Sequence, residues 1–196
     1  MSGLTLTYYN QNAGPFATST VSVDFTAIQA HFTARLPQGG SILDFGCGSG
    51  RDTKYFLSRG FLVTATDGSE ELCKFASQYT GISVKHMLFH ELDEKELYDG
   101  IWACSSILHL PLEELMPVLE KMAIALKHQG IIYTSFKYGN FAGERNGRYF
   151  TDMTEDSFAA LMQNITLLGI EEQWITSDVR PGRGEEKWLN VIMRKK

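Results

Sequence analysis

The sequence predicts an α/β protein with a doubly wound, mainly parallel sheet and helices on both faces. Three observations predict it. Short apolar, β-branched runs alternate along the chain with segments of helical periodicity. The first run, Ser41–Phe45, empties into a loop with glycine at positions 46, 48 and 50 and then into a helix. The last two runs, 170–179 and 187–194, are joined by a short loop holding Pro181, Gly182 and Gly184, and so short a connection requires an antiparallel pair. A length of 196 residues suits one domain with a sizeable core.

Each element has its own signal. Val21, Phe25, Ile28, Phe32 and Leu36 fall at helical spacing, so an amphipathic helix is expected over 21–36, within an N-terminal helical segment 1–38. Pro37-Gln-Gly-Gly40 stops it, and Ser41–Phe45 follows as a buried strand. A short helix over 52–59 ends at Gly60, and 61–66 is the second strand. Ser69 caps a helix reaching about Tyr79, with Glu70 and Glu71 favourable in its first turn. Strands are expected at 82–87 and 99–104. Residues 111–116 make one turn, and Pro117 then opens the main helix as its first residue. Val118, Leu119, Met122, Ala123 and Leu126 give that helix its buried stripe, which ends near Gly130. The fifth strand is 131–136, a loop spans 137–150, and Thr154 caps a helix running to about Leu167.

Composition excludes several classes. Hydrophobic residues at 43% and charged residues at 21% are ordinary globular values. No run approaches the roughly 18 apolar residues a membrane span needs, and the N-terminus lacks the basic and apolar regions of a signal peptide. Cys47, Cys73 and Cys104 are scattered and odd in number, which suggests a reducing cytoplasm rather than a disulfide framework. A net charge of −5 argues against a dedicated nucleic-acid binder without excluding one. Nothing in the sequence indicates an oligomeric state.

The glycine loop carries the chemistry. Gly46, Gly48 and Gly50 allow tight turns and close approach of a ligand to the backbone. Arg51 stands where a dinucleotide fingerprint has its third glycine, so the motif is G-x-G-x-G, and it matches no Walker loop either. Asp67, followed by Gly68 and Ser69, ends the second strand and suits the two hydroxyls of a ribose. Asp44, near the end of the first strand, suits a cationic amine. An acid for an amine, a glycine loop and an acid for a ribose together suit S-adenosylmethionine.

At these residues the chain resembles the class I S-adenosylmethionine-dependent methyltransferases. The continuation Gly50-Arg-Asp-Thr-Lys-Tyr-Phe-Leu57 resembles the tellurite-resistance-type and related small-molecule branch. The resemblance covers residues 42 to about 136. It implies a single Rossmann-like methyltransferase domain over 1–196, with core 41–136 and a C-terminal helix and hairpin 154–196. Its seven strands would run in the order 3-2-1-4-5-7-6, the last one antiparallel. It also implies that 89–92 flank the adenine, with Glu91 and Leu92 in contact, although Glu91 reads equally as a solvated loop acid. Cys104 and Ser105 would lie beside the methionine moiety, and Tyr8 or Tyr9 would fold over the same end.

His109 occupies a place where similar small-molecule enzymes carry a pocket histidine. It stands either as a general base or as a hydrogen-bonded histidine at a helix entrance. Nucleobase amine methyltransferases resemble one another in a D/N/S-P-P-Y/F motif that this chain lacks, and Cys104 follows Ala103 rather than the proline of cytosine-C5 enzymes. Lys137, Tyr138, Arg145, Arg148 and Tyr149, with Arg183 from the last loop, could receive an anionic or planar acceptor. They could equally form solvated loops held by Glu144, Glu185 and Glu186. His86 and His90 lie on a strand and beyond it rather than on a helix, so no metal is expected. The expected function is methyl transfer from S-adenosylmethionine to an oxygen, nitrogen or chalcogen atom of a small molecule, with no membrane partner. An RNA or tRNA acceptor and a cofactor-binding scaffold without transferase activity are the alternatives.

Overall fold

The structure, a computed structural model, describes residues 3–180 and 182–196. Its centre is a seven-stranded sheet in the order β3-β2-β1-β4-β5-β9-β8, formed by β1 (Ser41–Phe45), β2 (Leu62–Asp67), β3 (Lys85–His86), β4 (Tyr98–Ala103), β5 (Leu126–Lys137), β8 (Leu168–Ser177) and β9 (Lys187–Lys195). β1 to β5 pair parallel, and β9 pairs antiparallel with both β5 and β8. Counting only these seven strands, the order is 3-2-1-4-5-7-6, as expected.

Alternate residues of the central strands feed two cores, because successive side chains leave a strand on opposite faces. Ile42, Trp102, Ile131 and Tyr133 bury against Phe32 of α3 (Thr26–Thr33) and Phe56 of α4 (Arg51–Ser58). On the other face Leu43, Phe45, Ile101 and Ile132 meet Leu115, Leu119 and Met122 of α6 (Leu112–Ala125) and Phe158 of α7 (Glu155–Met162). Helix α5 (Glu70–Thr80) starts as its sequence predicts, with the Ser69 hydroxyl accepting the Leu72 N–H at 3.2 Å. α7 opens on a capping box in which Thr154 and Ser157 bond reciprocally.

Several expectations need correction. Two helices, α1 (Gly3–Gln11) and α2 (Ala13–Thr20), precede α3, and α3 begins at Thr26 rather than Val21. Val21 closes α2 through its bond to the Ala17 carbonyl, and the Asp24 carboxylate accepts the Thr26 N–H at 2.9 Å to start α3 afresh. β3 is only two residues long, at the sheet edge. Pro117 lies inside α6 instead of opening it. It is exposed, while Leu115, Val118, Leu119 and Met122 form one buried face that runs past it, so packing carries the helix across the missing N–H. α6 stops at Ala125, and Leu126 opens β5, pairing with Tyr98 before a bulge resets the register at Gly100 and Ile131. The stretch expected as a loop over 137–150 contains a hairpin, β6 (Ala142–Arg145) and β7 (Arg148–Thr151). α7 stops at Met162, short of Leu167.

Candidate active site

The carboxyl ends of β1, β2, β4 and β5 open on a cavity of about 180 Å³. The loop after β1 forms one wall. The N–H groups of Gly46 and Cys47 both donate to the Thr66 carbonyl at 2.9 Å, which folds the loop back over β2. Gly46 has φ +86°, and a Cβ there would stand 2.5 Å from the Cβ of Ser106, so only glycine lets the β1 and β4 ends approach so closely. Gly48 has φ +56° and faces the Phe16 ring of α2. Asp67 joins loop to strand tip: its Oδ2 accepts the Gly48 N–H and its Oδ1 the Ser69 N–H, both at 2.8 Å. Burial raises the Asp67 pKa, and these N–H bonds oppose the rise.

At the start of α4, Arg51 grips the Asp52 carboxylate with two bonds of 2.8 Å. Gln29 and the Trp102 indole also donate to Asp52, at 2.6 and 2.9 Å. Burial pushes the Asp52 carboxyl up, but Arg51, Trp102 and Gln29 outweigh it and hold it below its usual value. The Arg51 guanidinium lies 4.1 Å from the Phe25 ring centroid. Ser105 leaves β4 with φ +51°, and its N–H donates to the Ser135 hydroxyl of β5 at 2.9 Å. Next to it the Ser106 hydroxyl donates to the Phe45 carbonyl at 2.7 Å.

His109 is 3% exposed, and its two ring nitrogens are distinguishable. Nδ1 lies 2.6 Å from the Tyr149 carbonyl, which can only accept, so Nδ1 carries the proton of the neutral ring. Nε2 therefore accepts, and its partner is the Tyr9 hydroxyl at 2.8 Å. Burial lowers the His109 pKa to about 4, so the ring is neutral near pH 7. Burial raises the Tyr9 pKa, with Arg148 opposing; an Arg148 Nη1 lies 3.5 Å from the same hydroxyl.

Residues 42–130 match the model of a methyltransferase domain family. The match spans just under half of the chain, and the sheet around it has the Rossmann-like methyltransferase fold. YqeM of Bacillus subtilis (strain 168), a protein to which methyltransferase activity is ascribed, is 31% identical over 135 residues, covering 63% of this chain and 53% of its own. The chain thus spans about half the length of that curated relative. A 1,6-didemethyltoxoflavin-N1-methyltransferase from Burkholderia thailandensis, solved with 1,6-didemethyltoxoflavin and S-adenosylhomocysteine, has a TM-score of 0.78 at 23% identity, covering 97% of this chain and 85% of that one. A TehB-like S-adenosylmethionine-dependent methyltransferase from Corynebacterium glutamicum has a TM-score of 0.69 at 20% identity, covering 97% and 98%. These two likenesses establish the fold.

The cavity gathers Tyr9, Gly46, Gly48, Arg51, Asp67, Gly68, Ser69, Cys104, Ser105, His109, Lys137, Arg148 and Arg183. It does not gather all the residues expected from the sequence. Asp44 is 2% exposed and lies outside the cavity lining, its carboxylate taking the Thr53 hydroxyl at 2.5 Å. Its pKa is pushed up to about 8, by burial first and then by Asp52. A direct pairing of Asp44 with a ligand amine is therefore not what this arrangement offers. Gly50 packs against Ala76 and Thr80 of α5. Glu91 turns back to accept the Leu88 N–H at 2.6 Å, and Leu92 is buried in the core below.

In the hairpin region Tyr138 is exposed, and Arg145 is held by Asp152 at 2.9 Å. Tyr149 contributes its backbone, donating its N–H to Thr5 and offering its carbonyl to His109. Cys104 borders the cavity with its pKa pushed up to about 12, by burial first and then by Asp52, which argues against a thiolate nucleophile. His86 donates to the Gly68 carbonyl at 3.0 Å, and among the described residues no group of His, Cys, Asp and Glu is arranged for a metal. Among the described residues, no helix is long and apolar enough to cross a membrane.

Sequence reasoning missed Phe16, Ser106, Ser135, Trp188 and Asn190, all of which line the cavity. Ser106 adjoins Cys104 and Ser105 and had a local signal. Phe16, Trp188 and Asn190 reach the site from α2 and β9, and nothing in their own neighbourhoods indicates it.

Proposed function

We propose that this chain is a methyltransferase that moves a methyl group from S-adenosylmethionine to an oxygen, nitrogen or chalcogen atom of a small-molecule acceptor. The observation that carries this reading is the Asp67 carboxylate, fixed by the Gly48 and Ser69 N–H groups at the edge of a cavity that continues past 104–106 to Ser135 and Asn190. Each Asp67 oxygen accepts one backbone bond, so lone pairs remain for two ribose hydroxyls. The residues therefore fit the donor, and the further reach of the cavity gives room for an acceptor. The fold relatives solved with S-adenosylhomocysteine support the same donor. Three free cysteines favour a cytoplasmic location.

When bound, the donor supplies a methyl carbon already activated by a sulfonium. This chain's residues position, exclude water and manage a proton. Asp67 and the loop at 46–49 orient the donor. Tyr9 and Phe16, whose ring centroids lie 5.1 Å apart, roof the site. An acceptor proton passes to the Tyr9 oxygen as the Tyr9 proton passes to Nε2 of His109, so His109 acts through Tyr9 rather than on the acceptor directly.

Calorimetry with S-adenosylhomocysteine tests the donor site. Asp67→Ala is expected to weaken binding by roughly 10²-fold, the order of two lost hydrogen bonds to a charged group, with the circular dichroism spectrum retained. Unchanged affinity would sink the assignment.

A further inference from the structure

Five cationic side chains border the cavity: Arg51, Lys137, Arg148, Arg180 and Arg183. Four are neutralised. Arg51 pairs with Asp52, Lys137 with Glu186 and Asp178, Arg180 with Asp178, and Arg183 with Glu186. Arg148 has no carboxylate partner among the described residues. Among the described residues its buried Nε–H has no acceptor, and its one hydrogen bond is the long contact to the Tyr9 hydroxyl. Arg145, directly opposite Arg148 across the hairpin, is satisfied by Asp152, so that carboxylate is spent elsewhere.

Aromatic rings hold the Arg148 guanidinium in place, with centroids at 4.5 Å for Tyr8, 5.1 Å for Phe150 and 5.8 Å for Tyr9. Ring faces attract a cation but do not supply hydrogen-bond acceptors. A half-buried guanidinium with an orphaned N–H is costly unless something completes it, and its planar fork matches an oxyanion.

We propose that Arg148 docks an oxyanion of the methyl acceptor, so that the acceptor is an organic anion such as a carboxylate or phosphate. The proposal rests on the methyl-transfer reading above and selects one of the six candidate substrate residues. It places the anion beside the Tyr9 hydroxyl, the group assigned to receive the acceptor proton. Lys137 and Arg183, already held by acidic partners, are left as walls.

The test titrates acetate, benzoate and inorganic phosphate into protein saturated with S-adenosylhomocysteine, with benzamide as the neutral counterpart of benzoate. At least one anion is expected to bind, benzamide at least tenfold more weakly than benzoate where benzoate is that anion. Arg148→Gln is expected to abolish anion binding and Arg148→Lys to retain part of it. The affinity of Arg148→Gln for S-adenosylhomocysteine should stay within threefold of the parent. Three results overturn the proposal: no anion of the panel binds; anions bind equally to the Gln variant; or the Gln variant loses S-adenosylhomocysteine but keeps 5′-methylthioadenosine, which would mean that Arg148 holds the donor's carboxylate. The same titration on ligand-free protein separates this from failure of the donor assignment, since anion binding can then be read even where S-adenosylhomocysteine does not bind. Circular dichroism of the Lys variant controls for folding.

Discussion

His109 is held neutral by burial, and that has a thermodynamic signature. Its folded pKa of about 4 lies below the reference value of 6.5. Above pH 6.5 neither state is charged and the group costs nothing. As pH falls from 6.5 to 4 the unfolded chain binds a proton that the folded chain refuses, so stability drops by about 1.4 kcal/mol per unit. Asp44 runs the other way: its folded pKa of about 8 means stability present at low pH is lost as pH rises from 3.8 to 8. Between pH 4 and 6.5 the two contributions therefore oppose each other. His109→Gln, which can keep both hydrogen bonds, isolates the histidine: urea unfolding should give a parent-minus-variant difference that falls by about 3 kcal/mol between pH 6.5 and 4. A pH-independent difference would refute the buried neutral ring. Gly46→Ala is the other informative single change. A left-handed φ and a collision with the Ser106 Cβ should together cost about 2–4 kcal/mol in the same assay, and parent-like stability would show that the loop has room.

At the level of elements, α6 and the β6–β7 hairpin show how local signals compete. Pro117 has a strong local reading as a first helical residue, yet Leu115 and Val118 belong to one buried face and the helix runs through it. Tertiary burial outweighs the missing N–H. It follows that Pro117 is a liability: Pro117→Ala restores an N–H for the Glu113 carbonyl at an exposed position and should stabilise the protein by about 2 kcal/mol, the helix-interior penalty less the gain in unfolded-chain entropy. A lower thermal midpoint in the variant would refute this. The hairpin carried its own signal unread. Asn146 and Gly147, at φ +53° and +74°, are the Asn-Gly pair of a two-residue hairpin turn, flanked by Arg145 and Arg148 in register. The interleaved basic and aromatic residues around it drew attention to ligand binding instead. The sheet was more legible than either, because buried parallel strands read as continuous apolar runs, while its strand order came from the family resemblance.

For the whole molecule, legibility divides by sequence distance. The Gly46 to Asp67 wall sits within one strand-loop-helix-strand unit, so its parts announce one another. The opposite wall is assembled from chain ends: Tyr9 reaches His109 across 100 residues, and Thr5 receives the Tyr149 N–H across 144. No local pattern encodes such contacts. α1 and α2 thus have a job that the 21–36 periodicity did not suggest, which is to roof the cavity with Leu6, Tyr9 and Phe16 and to anchor it through Asn10, whose side-chain oxygen accepts the Ser69 hydroxyl at 2.7 Å. The cavity beneath this roof is partly open to solvent, and a ligand bound there adds contacts that only the docked roof provides. Such contacts shift the local opening equilibrium toward the closed state. Hydrogen exchange should therefore slow in α1 and α2 by tenfold or more on saturation with S-adenosylhomocysteine, while the first half of β8 (168–172), on the sheet edge and away from the cavity lining, changes little. Equal protection of roof and far edge would mean that the ligand stabilises the molecule globally, and the roof would then be a fixed wall rather than the moving part.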